Sequence, residues 1–432
     1  MSATNNLSPT AQATLLLTSH FSKVNKQSEK PLTNIEWGRF ALWLKENGFT
    51  PSDLLNDASN ILQKWQDNKI TQERINSLLQ RGHCLALAVE KWQRAGLWVI
   101  TRADPAYPKR LKSRLRNNAP AVLFGCGNKE ILNLGGIAVV GSRKVGSSDL
   151  DYTKQLGIKA AKNDVTIISG GARGVDETVM LAAMNEGGNV VGVLANSLLQ
   201  AATSNKWRKG LIDGNVVLVS TFYPEAGFNV GNAMARNRYI YCLSDATVVV
   251  HSAMKGGTIS GAKENIKNNW VPLWVKPTED NLAANSFLVK EGAHWCEVSV
   301  EQLDIFDLLK AQPLNTRKET DQYGRLLSLQ QNDLFPAEVR EFSASSSWKV
   351  EGNVATENET GTKKYNVSTD FYQIFISEMS EITIENPVSI DDIIKWTNLN
   401  KSQISIWLKK AVEKGVVQKF LRPVRYQFVN KG

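Results

Sequence analysis

The chain has 432 residues, 42% of them hydrophobic, and a formal net charge of +9 at neutral pH. This length exceeds one average domain and the apolar content supports at least one large core, so we expect two or three domains. No apolar run is long enough to span a membrane, and Met1 to Lys30 lacks the pattern of a secretory signal. The positive net charge favours a polyanionic partner such as nucleic acid.

The first hundred residues are predicted to form a small helical domain, preceded by a polar, frayed opening. The apolar residues of one predicted helix recur at spacings of three and four: Trp37, Phe40, Ala41 and Leu44. A second stripe consists of Leu54, Ile61, Leu62 and Trp65. Pro105 and Pro108 then predict an extended connector.

Residues 101–310 are predicted to form an α/β domain with an extended Rossmann-like parallel sheet. From Gly136 on, short β-branched runs alternate with helical stretches. The runs are Ile137–Val140, Val165–Ile168, Val190–Leu194, Val216–Val219, Ala246–Val250 and Val271–Val275. Apolar strands separated by helices are typical of a parallel sheet that is covered on both faces.

The C-terminal part is predicted to be a linker over residues 311–364 and a winged-helix domain over residues 365–432. Its predicted elements are helices Phe371–Met379, Ser389–Thr397 and Lys401–Lys414 and a hairpin of Val416–Leu421 and Val424–Val429. Ser389 and Asp392 have the spacing of a capping box. One face of the third helix is predicted to be buried through Ile404, Leu408, Ala411 and Val412. Such a module could bind duplex DNA or protein.

The loops after the first two strands are the first candidate ligand site, because ligands of open parallel sheets collect at the carboxyl ends of the strands. The first loop contains Gly141, Ser142 and Arg143, and a helix should begin near Ser147 or Ser148. The second contains Ser169, Gly170, Gly171, Arg173, Gly174 and Asp176. Glycine turns let backbone amides approach a phosphate and arginine can grip one, although plain turns with solvated arginines are the other interpretation.

Two more groups are expected at the same end of the sheet. They are Arg236-Asn237-Arg238 and the turn of Lys255, Gly256, Gly257 and Thr258. Together the four loops predict a basic rim that suits a phosphodiester chain or a nucleotide. A solvated helix face remains the alternative for the arginine pair.

Catalysis is not expected from these loops, because we identify no Ser-His-Asp set, metal cluster or general-base pair in them. We therefore predict no catalytic residue, no metal and no cofactor. The cysteines Cys84, Cys126, Cys242 and Cys296 form no CxxC pair, which indicates reduced thiols and a cytoplasmic protein. The four histidines show no metal-ligand spacing and are interpreted as ordinary side chains.

In their order and spacing, the motifs resemble the DprA/Smf family. Gly141-Ser142-Arg143 matches the family's GSR, Ser169 to Asp176 its SGxARGxD, and Arg236-Asn237-Arg238 its RNR; Lys255 to Thr258 stands where it has KSGS or a variant. The resemblance covers Asp104 to about Lys276. The N-terminal region (SAM-like in the family) and the winged helix are similar only loosely.

The resemblance implies an extended Rossmann fold that binds and protects single-stranded DNA, forms a homodimer and loads RecA recombinase in natural transformation, without bond-breaking chemistry. By position it implicates Arg143, Ser169, Gly170, Arg173, Arg236 and Arg238 in DNA binding. Met180 replaces the family's usual His, and Met234-Ala235 replaces its Phe-Pro, so the chain is a divergent member.

Two alternatives and one detail remain open. The chain could be a sensor of a free nucleotide, or a nucleotide-processing enzyme similar to phosphoribohydrolases, whose loop is partly echoed by Lys255 to Thr258 and Glu264. DNA bases could stack on Phe222 and Tyr223, but packing in the core is the favoured interpretation of this pair.

Overall fold

The computed structural model describes residues 7–21, 29–311, 376, 387–397, 404, 408, 411–412, 415–421 and 424–428. The chain divides into two compact units, residues 1–341 and 342–432. The finer division into four segments stays a prediction. Within the described ranges, every helix is too short or too polar to cross a membrane.

Five helices precede the sheet and confirm the predicted apolar stripes. They are α1 (Pro9–Thr18), α2 (Asn34–Glu46), α3 (Leu54–Leu62), α4 (Gln72–Leu79) and α5 (Gly82–Arg94). The stripe residues of α2 are all buried, as are Leu54, Ile61, Leu62 and Trp65. Trp65 packs edge-on against Phe40 and Trp43, with ring centroids 5.0 Å and 4.9 Å apart.

Helix α1 corrects the expectation of a frayed opening. The backbone N–H of Ala11 donates to the Ser8 hydroxyl at 3.2 Å, and Pro9 occupies the first helical position. Proline is favoured there because its missing N–H would have no helical partner. Leu15 and Leu17 are fully buried, so the helix is part of the core.

Nine strands of the described residues form one sheet. They are β1 (Leu97–Thr101), β2 (Val122–Gly127), β3 (Ile137–Val140), β4 (Ile167–Ser169), β5 (Val190–Val193), β6 (Val216–Ser220), β7 (Ala246–Val249), β8 (Leu273–Val275) and β9 (His294–Trp295). The spatial order is β1-β2-β6-β5-β4-β3-β7-β8-β9. From β6 to β9 the neighbours are parallel, whereas β1–β2 and β2–β6 are antiparallel.

Helices cover both faces of this sheet, as predicted. They are α6 (Lys109–Leu115), α7 (Ser147–Lys162), α8 (Val175–Asn185), α9 (Leu198–Ala202), α10 (Asn205–Asp213), α11 (Val230–Leu243), α12 (Gly257–Asn268), α13 (Asn285–Lys290) and α14 (Ile305–Lys310). Alternate residues of β3 belong to two separate apolar clusters: Ile137 and Val139 to one, Ala138 and Val140 to the other. A strand that is buried on both faces has this distribution.

The connector before the sheet is turned rather than extended, which corrects the sequence interpretation. Asp104 accepts hydrogen bonds from the N–H and the hydroxyl of Thr101 at 2.6 Å and 2.7 Å. Its carbonyl then accepts from the N–H of Tyr107 at 3.0 Å, with Pro105 at the second position of the turn. Aspartate followed by proline is a favoured start of such a turn.

The strand order creates a crevice at the carboxyl end of the sheet. From β3 the chain proceeds through β4 and β5 to β6 on one side, and it returns to the other side of β3 as β7. The connections after β3 and β7 therefore leave the sheet in opposite directions. Ligands of doubly wound sheets bind at such a switch point, here the gap between β3 and β7.

In the C-terminal unit, the structure describes α15 (Ile390–Thr397) and the antiparallel hairpin β10 (Val417–Leu421) and β11 (Val424–Phe428). The predicted capping box is confirmed, because the N–H of Asp392 donates to the Ser389 hydroxyl at 3.2 Å while Asp392 accepts from the N–H of Ser389 at 3.3 Å. Ile404, Leu408 and Ala411 are buried, as predicted, whereas Val412 is only half-buried. The helix Phe371–Met379 lies outside the described residues except Ile376, as does most of Lys401–Lys414, and the winged helix stays a prediction.

Candidate nucleic-acid interface

A cleft of about 580 Å³ lies at the switch point between β3 and β7. Its walls are the loop after β3, the first half of α11 and the turn that leads into α12. The sequence-predicted residues that line it are Gly141, Ser142, Arg143, Arg236, Asn237, Lys255, Gly256, Gly257 and Thr258. The predicted residues that do not line it are Ser169, Gly170, Gly171, Arg173, Gly174 and Arg238.

Three exposed cations surround the cleft: Arg143, Lys144 and Lys255. The described residues place no carboxylate within ion-pair distance of any of the three. The Arg143 guanidinium lies 5.1 Å from the centroid of the Phe228 ring. These cations are therefore available to a bound anion.

The N-terminus of α12 adds backbone donors to the same wall. Gly256 precedes the helix with φ of +120°, and it contributes no side-chain cap to the amides that follow. The Asn237 side chain donates to the carbonyl oxygen of Gly257 at 2.9 Å and so ties α11 to this turn. The first N–H groups of a helix lack helical acceptors and carry the positive end of its dipole, which favours an anion.

A buried ion pair forms the floor of the cleft. Nη1 of Arg236 donates to the carbonyl oxygen of Val193 at 2.8 Å and lies 4.0 Å from Oδ2 of Asp176. Burial raises the pKa of Asp176, against the opposing effects of Arg236 and the amides of Ala172, Gly141 and Gly170. Burial likewise lowers the pKa of Arg236. The Arg236 side chain is therefore engaged inside the protein and is not a free cation for a phosphate. Through Asp176, which contacts amides of both glycine loops, it stabilises their arrangement.

The second glycine loop supports this floor instead of facing the cleft. Ser169 is fully buried and its hydroxyl donates to the carbonyl oxygen of Val139 at 2.6 Å. A Cβ on Gly170 would lie 1.4 Å from Nη1 of Arg236. Gly174 has φ of +87°, and a Cβ there would lie 2.8 Å and 2.7 Å from the carbonyl oxygens of Ser142 and Arg143. These glycines allow the two loops and Arg236 to pack in contact.

The remaining two arginines of the predicted rim lie elsewhere. Arg173 is exposed outside the cleft lining, and Arg238 pairs with Glu264 at 3.0 Å. Arg236 and Arg238 could not both face the cleft, because residues two apart on a helix point about 200° apart. Any contact of Arg173 or Arg238 with DNA stays a prediction.

Ser142 and His251 line the cleft and form a hydrogen-bonded chain with Asp280, which lies outside the lining residues and outside the four predicted loops. Nδ1 of His251 lies 3.2 Å from the Ser142 hydroxyl, and its Nε2 lies 3.0 Å from Oδ2 of Asp280. His251 lies two residues after the end of β7, as Ser142 does after β3, so the rule that selected Ser142 could have selected it too. Asp280 comes from a different loop, after β8, and carried no sequence signal.

Phe222 and Tyr223 are not candidates for base stacking in this cleft, and Tyr223 packs against the core, in line with the favoured interpretation. Neither Phe222 nor Tyr223 is among the residues lining the cleft, and the Tyr223 ring packs against Trp92 at a centroid distance of 6.4 Å. The large exposed apolar side chains at the cleft are Phe228, Val230 and Met234. Phe228 was missed because it follows no strand directly.

Comparisons with known proteins agree with the motif pattern. A family model described as DNA recombination-mediator protein A matches residues 98–307. This match and the curated relatives support membership of the DprA/Smf family. DNA processing protein DprA of Streptococcus pneumoniae is 29% identical over 157 residues, which cover 36% of this chain and 55% of that protein. Protein Smf of Escherichia coli is 30% identical over 159 residues, which cover 36% of this chain and 42% of that protein.

The chain thus spans about half the length of the curated relatives it matches. Among solved structures, DprA of S. pneumoniae gives a TM-score of 0.47 at 22% identity, covering 63% of this chain and 99% of that one. DprA of Helicobacter pylori, whose structure is described with a single-stranded-DNA-binding mode, gives 0.41 at 24% identity, covering 49% and 94%.

Met180, which departs from the DprA/Smf pattern, is a core residue in this structure. Met180, at the position of the family's usual His, is fully buried on α8. Its methyl carbon would be 2.7 Å from a Cβ on Gly192 of β5. Met180 therefore packs in the core and is absent from the residues that line the cleft.

Proposed function

We propose that the cleft binds the phosphodiester backbone of single-stranded DNA without cleaving it, as part of DNA processing in recombination or natural transformation. The observation that carries this proposal is the meeting of three exposed cations and the N-terminus of α12 at the switch point. The names of the DprA/Smf relatives support the same direction.

The site chemistry suits a flexible polyanion. Arg143, Lys144 and Lys255 can pair with successive phosphates. The backbone N–H groups of the α12 turn can donate hydrogen bonds to one further phosphate. The Nε–H of buried Arg236 has no acceptor among the described residues, which leaves one donor beside the cleft. Phe228 offers a ring face for a base, and stacking of this kind tolerates any sequence.

The test is the affinity of a fluorescent oligothymidylate for Arg143→Ala over a salt series from about 50 to about 200 mM. We expect a loss of about fivefold at low salt and a salt slope that is shallower by about 0.7, the value for one phosphate contact of a single strand. Arg208→Ala is the matched control, since Arg208 is exposed on α10 and lies outside the cleft lining. Equal affinities and slopes for both variants and the wild type would contradict the proposal.

A free nucleotide is the second candidate ligand, because a cleft of about 580 Å³ has the size of a small-molecule site. Stabilisation against heat by a mononucleotide, but not by an oligonucleotide, would favour it. Nucleotide hydrolysis has less support. Glu264, the acidic residue in the partial match to the phosphoribohydrolase loop, pairs with Arg238 and is not among the residues that line the cleft. Release of free base from a nucleoside monophosphate would revive that alternative.

Assembly and location are also proposals. We propose a cytoplasmic homodimer that contacts RecA recombinase, with DNA or protein binding by the C-terminal unit. Exposed Trp295 on edge strand β9 and the nearby exposed Val298 support a protein interface on that side of the sheet. Sedimentation of the wild type and of Trp295→Glu tests the dimer: an unchanged mass would reject this interface.

A further inference from the structure

Ser142, His251 and Asp280 link three loops at the wall of the cleft. The N–H of Ser142 donates to the carbonyl oxygen of His251 at 2.9 Å, which fixes the loop after β3 against the end of β7. The Ser142 hydroxyl lies 3.2 Å from Nδ1 of His251 and 3.3 Å from its carbonyl oxygen. The His251 side chain is 12% exposed, so its ring is held mainly by these neighbours.

The hydrogens of this chain can be assigned from its acceptors. An ionised carboxylate only accepts, so Nε2 of His251 carries the hydrogen that it shares with Asp280. The same contact is the largest cause that lowers the pKa of Asp280. A neutral His251 then has a lone pair on Nδ1. In that state the Ser142 hydroxyl donates inward, to Nδ1 or to the carbonyl oxygen, and presents only lone pairs to the cleft.

We propose that His251 makes phosphate binding in this cleft proton-linked. A proton taken up from solvent at Nδ1 turns that atom into a donor to the Ser142 oxygen. The Ser142 hydrogen is then released toward a phosphate oxygen, and the wall gains one positive charge. This inference rests on the proposed phosphate site and adds a residue that the DNA-binding motifs do not include.

The surrounding charges give the linkage its direction. Among the described residues, the titratable groups that line the cleft besides His251 are Arg143, Lys144, Asp176, Arg236, Tyr241 and Lys255, and those that lie beside Asp280 are Asp149, Asp151, Tyr152, Lys276 and Glu279. Lys276 is neutralised by Asp149 at 2.9 Å, and Arg236 faces Asp176. The Asp280 carboxylate at Nε2 favours a positive charge on His251, whereas the exposed cations Arg143, Lys144 and Lys255 oppose it in the empty cleft. A bound phosphate offsets these cations. Binding of a phosphate therefore favours uptake of the proton.

The experiment is calorimetric titration of the full chain with oligothymidylate, whose base does not titrate near neutral pH, in two buffers of different ionisation enthalpy from about pH 6 to about pH 8. The wild type should take up as much as one proton and lose affinity as pH rises, by at most about tenfold per pH unit. His251→Gln, which cannot be protonated, should bind without proton uptake and with a flat pH profile. His83→Gln, at an exposed position on α5, is the matched control and should behave like the wild type.

A second variant separates the hydroxyl from the charge. Ser142→Ala should weaken binding by about fivefold at the acidic end, where the hydroxyl donates, and little at the alkaline end. If His251→Gln shows the same proton uptake and the same pH profile as the wild type, the proton linkage is refuted. The proposal that the cleft binds DNA would still stand. If the wild type does not bind the oligonucleotide, the proposed function fails. The nuclear magnetic resonance shift of the His251 ring with thymidine 5′-monophosphate then decides the linkage alone: protonation supports it, and an unchanged ring refutes it.

Discussion

Removing the charge of Arg236 is the most informative perturbation of the cleft floor. Arg236→Met keeps the length of the side chain but leaves the Asp176 carboxylate buried with only backbone amides around it. Breaking a buried ion pair by removing one partner costs about 3 to 5 kcal/mol. Because the two side chains are 4.0 Å apart and Asp176 keeps its amide hydrogen bonds, we expect the lower end, about 3 kcal/mol at pH 7.5.

The loss should depend on pH in a defined direction. Burial raises the pKa of Asp176 in the folded protein, and Arg236 opposes that rise. Without Arg236 the folded pKa moves further above the unfolded value, so stability falls as pH rises through it and recovers when the carboxyl is protonated. Urea unfolding should therefore show a smaller loss at pH 5.5 than at pH 7.5, by as much as about 1.4 kcal/mol for each pH unit over which Asp176 titrates.

The control is the double variant Asp176→Asn/Arg236→Met, which removes both charges. Replacing both partners of a buried pair is often nearly neutral, so the double variant should be more stable than Arg236→Met alone at pH 7.5. A stability of Arg236→Met within about 1 kcal/mol of the wild type at both pH values would refute the assigned role of this pair.

Three further perturbations test the surroundings of the cleft and the first helix. Gly170→Ala should lower the free energy of unfolding by about 2 kcal/mol and weaken oligonucleotide binding, because its Cβ would displace Arg236. Gly146→Ala is the control and should be tolerated, because a Cβ there meets nothing within 4 Å. Thermal unfolding compares the two variants. Phe228→Ala should weaken oligothymidylate binding by about fivefold without changing the salt slope, and an altered slope would contradict a stacking role. Ser8→Ala should destabilise helix α1 by about 1 kcal/mol, so its backbone amides should exchange faster. Unchanged exchange would contradict the role of Ser8 as the N-cap.

Elements whose residues carry a strong period could be predicted from the sequence. The β-branched run Ile137–Val140 reappears unchanged as β3, and the stripe through Phe40 is the buried face of α2. Strand β2 was missed because Gly125 and Gly127 interrupt it. The Trp98 ring occupies the space that a Cβ on Gly125 would take, so the glycine serves packing that only the fold reveals.

The position of the cleft could be predicted, but the use of each side chain could not. Strand ends and glycine turns located Ser142 and Lys255, because that rule depends only on topology. The burial of Arg236 is not encoded in its neighbours along α11, and it depends on Asp176 of α8. The contact of His251 with Asp280 joins residues 29 apart on different loops. Such pairs become visible only when the chain is folded.

Hydrogen exchange of the backbone amides, measured with and without an oligothymidylate, tests the central claim most directly. If the switch-point cleft holds the phosphate backbone, bound DNA should slow exchange in the loop after β3, at residues 141–146, and in the first turn of α12. Exposed α10, which lies outside the cleft lining, should be unaffected. Slowed exchange confined to the helices α1–α5 or to the C-terminal unit, with the two cleft segments unchanged, would contradict the account.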